Sequence, residues 1–134
     1  MSSLSKRRVV IICIMVLIAA IHIFRVGNYL HGKLFNFYYG YFSDFIIPFG
    51  GYFLICAAEQ QLPLPRHWKV KLAIAFLIPS IAETCQYFGI PVLGSTFDIL
   101  DYFMYALGVT LAAVFDMQIF PRLFNFWSIE KAER

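Results

Sequence analysis

A chain of 134 residues that is 60% hydrophobic, with a mean hydropathy of +0.70 and only 14% charged residues, carries more apolar surface than a soluble domain of this size can bury. The composition points to an integral membrane protein. A net charge of only +3 gives no basic footprint for nucleic acid, so no nucleic-acid partner is expected.

Four apolar segments follow one another. The first is Val9 to Phe24, "VVIICIMVLIAAIHIF", preceded by Lys6, Arg7 and Arg8. A basic start and an apolar core also suit a signal peptide, but the run is long for one and no A-x-A cleavage site follows. The second segment spans about 37–58, the third about 72–88 and the fourth about 97–116. Each approaches the ~20 residues that a helix needs to cross the hydrocarbon layer. Helices are required because lipid offers no partners to an open backbone. The tail 120–134 contains "FPRLFNFW", read either as a short helix lying on the inner leaflet or as an ordinary juxtamembrane tail. The expectation is one integral membrane domain over 1–134: an all-α four-transmembrane-helix bundle. Cys13, Cys56 and Cys85 all lie in apolar runs without metal-ligand spacing, so they read as packing residues. No metal and no cofactor are expected.

Nine of the eleven Lys and Arg residues fall in the N-terminus, the second loop and the tail. Only Arg25 and Lys33 fall elsewhere, so the positive-inside rule predicts that both termini are cytoplasmic. Trp68 and Trp127 then sit at the cytoplasmic headgroup level. Glu59 and Asp116, at the cytoplasmic ends of their segments, read as solvated.

The same map puts the remaining acids in the outer half. Glu83 lies about five residues, or roughly 8 Å, below the outer end of the third segment, with Gln86 nearer that end. Asp98 opens the fourth segment and Asp101 is one turn deeper. Asp44 is about two turns into the second. Asp98, Asp101, Tyr105, Gly108 and Ala112 recur at steps of three and four, which makes one stripe, polar at one end and small at the other. A carboxylate facing lipid at mid-membrane costs about 3 kcal/mol, so these acids must pair, share protons or face water. Stripes from three segments are therefore expected to turn toward one another. His22 and Arg25, which close the first segment at the same level, are the expected basic partners. The candidate binding cluster is Asp44, Glu83, Gln86, Asp98, Asp101, Tyr105, His22 and Arg25. Thr96 or Ser95 is expected to cap the fourth segment, with Asp98 in its first turn.

"ETCQ" followed by "STFDILDYFMYALG" resembles the VanZ-like membrane proteins, whose pattern runs E-x-x-Q, a polar turn with an arginine, then D-x-x-x-N-x-x-G. Glu83 and Gln86 match the first part, and Asp101 and Gly108 match the last. "DFIIPFGGYF" is similar to the family's D-K-x-x-H-F-x-x-Y-F, with Asp44, Phe49, Tyr52 and Phe53 in register. Phe45, Pro48, Ser95 and Tyr105 stand where the family has lysine, histidine, arginine and asparagine. The acids are kept and the bases are gone. The resemblance implies a small multi-pass protein of the bacterial cytoplasmic membrane, in a family with one member linked to resistance to the glycopeptide teicoplanin.

The expected function is non-enzymatic: an outward-facing acidic pocket for a lipid headgroup, an envelope precursor or an amphiphilic, glycopeptide-like drug. The expected partner is thus a membrane lipid or lipid-linked envelope component, with a homo-oligomer as a further arrangement. The alternatives are an intramembrane acid–base enzyme acting through Glu83 and Asp101 on a lipid-linked substrate, or a small proton-coupled transporter.

Overall fold

In the computed structural model residues 1–59, 61, 67–92 and 96–127 are described. Arg66, Ser95, Lys131 and Arg134, which entered the charge count and the capping expectation, lie outside them. The described residues are all-helical, with no strand among them. Four long helices follow in order: α1 (Ser3–Ile23), α2 (Lys33–Ala58), α3 (Trp68–Tyr87) and α4 (Ile99–Leu123).

α1 starts six residues before the apolar run because Ser2 caps it, its hydroxyl accepting from the Ser5 amide at 3.2 Å. Lys6, Arg7 and Arg8 are therefore helical. A left-handed Arg25 (φ 47°) and a 3₁₀ turn over Val26–Tyr29 end the segment. α3 is capped by His67, whose ring nitrogen accepts from the Lys69 amide. α4 is capped by Asp98 itself, which accepts from the Leu100 amide at 2.9 Å. The carboxylate expected in the first turn has thus taken the cap position, where it meets the positive end of the helix dipole. Within α2 and α4, single turns widen to π geometry at Tyr38–Phe42 and Phe115–Ile119.

α2 and α4 form the central pair. α3 packs against both, and α1 packs against α2. The central contact is close because Gly108 has no side chain: a Cβ there would overlap the Phe45 carbonyl oxygen. The α4 stripe from Asp101 through Tyr105 and Gly108 to Ala112 faces inward, while Phe103 and Leu107 on the opposite side are 67% and 56% exposed. α2 divides likewise, with Tyr52, Phe53 and Cys56 buried and Ile47 and Leu54 exposed. Outward faces so apolar suit lipid better than water. α2 and α4 are long and apolar enough to cross a membrane. α1 and α3 are of similar length, but Lys6, Arg7 and Arg8 in the one, and Lys69, Lys71 and Glu83 in the other, dilute their apolarity.

The described part of the tail, residues 120–127, packs into the bundle. Phe120–Leu123 completes α4, Pro121 standing in its last turn, and the chain then folds back. Phe120 and Trp127 are buried against Phe53, with ring centroids 5.5 and 6.3 Å from it. Neither sequence reading of "FPRLFNFW" anticipates this packing, in which the Trp127 indole is 2% exposed. The burial of two large aromatics supplies the reason.

Candidate functional site: an acidic cavity and a buried ion network

At one end of the bundle, Asp44 from α2, Glu83 and Gln86 from α3, and Asp98, Asp101 and Tyr105 at the start of α4 line one cavity of about 330 Å³, with Thr96 at its edge. Among the described residues no Lys, Arg or His lines it. Glu83 is its fixed point. Its side chain is 2% exposed, Oε1 accepts from the Asp98 amide at 2.7 Å, and Oε2 lies 3.4 Å from the Tyr105 hydroxyl. One carboxylate thus ties α3 to the cap of α4 and to its second turn. Gln86 is held by a 2.9 Å hydrogen bond from its amide nitrogen to the Val92 carbonyl. Asp101 is half-buried and its carboxylate makes no hydrogen bond among the described residues. The cavity therefore presents oxygen acceptors in a negative field, an arrangement suited to ammonium groups and other hydrogen-bond donors.

His22 and Arg25 are not part of this cavity. They line a second hollow of about 270 Å³ with Tyr38, Tyr39 and Ser43. The side chains of Ser43 and Asp44, neighbours on α2, reach different hollows. His22 is committed locally: Nδ1 meets the Ile18 carbonyl at 2.9 Å and Nε2 meets Ser43 Oγ at 3.2 Å. The sequence reading placed both residues at the right level but on the wrong side of α2, because depth can be read along a segment while azimuth between segments cannot.

The opposite end holds a second polar constellation that the sequence reading missed. Arg7 from α1, Glu59 at the end of α2, Lys71 from α3 and Asp116 from α4 meet in the interior, and each is no more than 7% exposed. Arg7 Nη1 lies 2.8 Å from Glu59 Oε2, and Nη2 lies 3.7 Å from Asp116 Oδ1. Lys71 Nζ donates to Glu59 Oε1 and to Asp116 Oδ2. Tyr52 Oη and Trp127 Nε1 each donate to Asp116 at 2.9 Å. The Arg7 guanidinium sits over the Trp127 ring, 4.9 Å from its centroid. Two cations face two carboxylates, so the set is formally neutral.

Glu59 and Asp116 are therefore not solvated, and that reading is corrected. Burial of a charge is tolerable here because each charge has a partner of opposite sign. The available signal was positional: charges of both signs stood at the same predicted depth on all four segments. Cys56 Sγ, Glu59 and Asp116 also lie within 4.8 Å of one another, a spacing that suits a metal ion. The Lys71 ammonium, 3.5 Å from Cys56 Sγ and bonded to both carboxylates, already supplies the positive charge there.

No family model, curated protein or solved structure matches the chain.

Proposed function

We propose that this is a VanZ-like integral membrane protein that crosses the bilayer four times, with both ends in the cytoplasm, and whose extracytoplasmic acidic cavity binds an amine-bearing amphiphile. That class includes aminated lipid headgroups, lipid-linked envelope precursors and glycopeptide-like drugs. The observation that carries the reading is the meeting of Asp44, Glu83, Gln86 and Asp101, the acidic and amide positions of the motif, around one cavity from three helices. Sequence-distant motif residues that converge on a space without a basic side chain among the described residues favour a cationic ligand. The threading is supported by the stacking of Arg7 on Trp127, which brings residues near the two chain ends to the same end of the bundle, opposite the cavity.

A thermal-shift series on the full chain in detergent tests the proposal. Phosphatidylethanolamine and a glycopeptide are expected to raise the midpoint relative to phosphatidylglycerol, and Asp101→Asn is expected to abolish the difference. Equal shifts in wild type and Asp101→Asn would overturn it.

Proton-coupled transport is the second reading, favoured by the buried ion network because it places titratable groups at the other end as well. Against it, Phe53, Val109, Ala112 and Ala113 form an apolar layer between the two constellations. Proton flux into proteoliposomes that is lost in Asp44→Asn would favour transport over simple binding.

A further inference from the structure

The hollow that holds His22 and Arg25 is separate from the acidic cavity and opposite to it in character. Its only full cation among the described residues is Arg25, whose guanidinium makes no ion pair or hydrogen bond among them. The other polar groups are already engaged. Tyr38 donates to the Ile21 carbonyl at 3.1 Å, Tyr39 donates to Asn28 Oδ1, and His22 and Ser43 bond each other. These contacts fix the walls and leave the five N–H donors of Arg25 as the free recognition element. A planar guanidinium with unspent donors matches tetrahedral oxyanions, phosphate above all.

The depth of the hollow says which phosphate. Ile23 and Phe24, immediately before Arg25, are 75% and 72% exposed, and Tyr29 just after it is 78% exposed. Apolar side chains that point outward beside a cation and phenols mark the level where acyl chains give way to headgroups. Arg25 is held there by its left-handed backbone, which stops α1 and begins the 3₁₀ turn.

We propose that the hollow formed by His22, Arg25, Tyr38, Tyr39 and Ser43 is a phosphate site for membrane phospholipid, with Arg25 as its anion-binding group. The site is distinct from the amine-binding cavity. The inference rests on the membrane reading above but not on the ligand of that cavity.

The test uses the full-length protein in a non-ionic detergent, titrated with phosphatidylglycerol, with diacylglycerol and with inorganic phosphate, and read by thermal stability and native mass spectrometry. Phosphatidylglycerol has the phosphate and lacks the amine, and comparing Arg25→Gln with Asp101→Asn separates this hollow from the acidic cavity. Wild type is expected to bind it and to be stabilised, while diacylglycerol has no effect. Arg25→Gln is expected to weaken binding about tenfold or more, the value of a lost charge-assisted contact. Arg25→Lys, which keeps the charge and loses the fork, is expected to fall between. Competition by millimolar inorganic phosphate as effective as that by lipid would assign the site to the free ion and overturn the lipid assignment. Equal binding by wild type and Arg25→Gln overturns the proposal, and so does loss of phosphatidylglycerol binding in Asp101→Asn with Arg25→Gln unaffected. A chain that stays dispersed without detergent would remove the membrane reading itself, an outcome separable from all of these.

Discussion

Arg7 and Glu59 are 2.8 Å apart at the end of the bundle opposite the acidic cavity, both almost wholly withdrawn from solvent, and they join the second turn of α1 to the C-terminal end of α2. A buried ion pair of this kind adds little over a well-packed apolar pair, because desolvation offsets most of the attraction. Removing one partner is a different matter, since it strands a charge.

Arg7→Met and Glu59→Leu should therefore each destabilise the protein by about 3–5 kcal/mol, while the two changes together should cost much less than their sum. Denaturant or thermal unfolding of the four proteins in one detergent gives the cycle. Additive losses would show that the pair is not coupled.

Gly108 lets α4 lie against the backbone of α2 at Phe45. Gly108→Ala puts a methyl group on a carbonyl oxygen, and the helices must separate. A loss of about 1–3 kcal/mol is expected, against little change for Leu107→Ala on the exposed face. Unfolding midpoints that fall equally for the two variants would contradict the close approach.

Trp127 packs on Phe120, with ring centroids 4.5 Å apart, and donates to Asp116. Trp127→Ala should cost about 3–5 kcal/mol from lost packing. Trp127→Phe keeps an aromatic but leaves an Asp116 oxygen short of a donor, for about 1–3 kcal/mol. A tail that only rested on a membrane surface would show neither loss in detergent unfolding, so the ordering of the two variants separates the cases.

The proposed topology, four crossings with both ends in the cytoplasm, predicts that reporters fused at either end give the same answer. Green fluorescent protein should fluoresce and alkaline phosphatase stay inactive at both termini. An active phosphatase at one end alone would require an odd number of crossings.

The helical class and the inward face of α4 were legible in the residues because each depends on local periodicity. Asp101, Tyr105, Gly108 and Ala112 can share an inward face only on a helix. The grouping of Asp44, Glu83, Gln86, Asp98 and Asp101 followed from depth along the segments, aided by the cost of facing acids to lipid. What stayed hidden was lateral. Nothing in the order of residues says that Ser43 and Asp44 serve different hollows, or that the chain turns back after Leu123 to seat Trp127 on Asp116. Glu59 and Asp116 were misread for a related reason. A charge at a helix end is usually wet, and only the arrival of Arg7 and Lys71 from other helices makes it dry.

The ion network also draws its members from widely separated stretches of the chain. Arg7 emerges from the ribosome first, and its second carboxylate partner, Asp116, arrives more than a hundred residues later. Until then Arg7 and Lys71 have one acid of this network, Glu59, between them, which leaves one positive charge in excess. The network is thus neutral only once the last helix is in place, and truncation ahead of Asp116 is expected to leave an unpaired charge that favours water over the bundle interior.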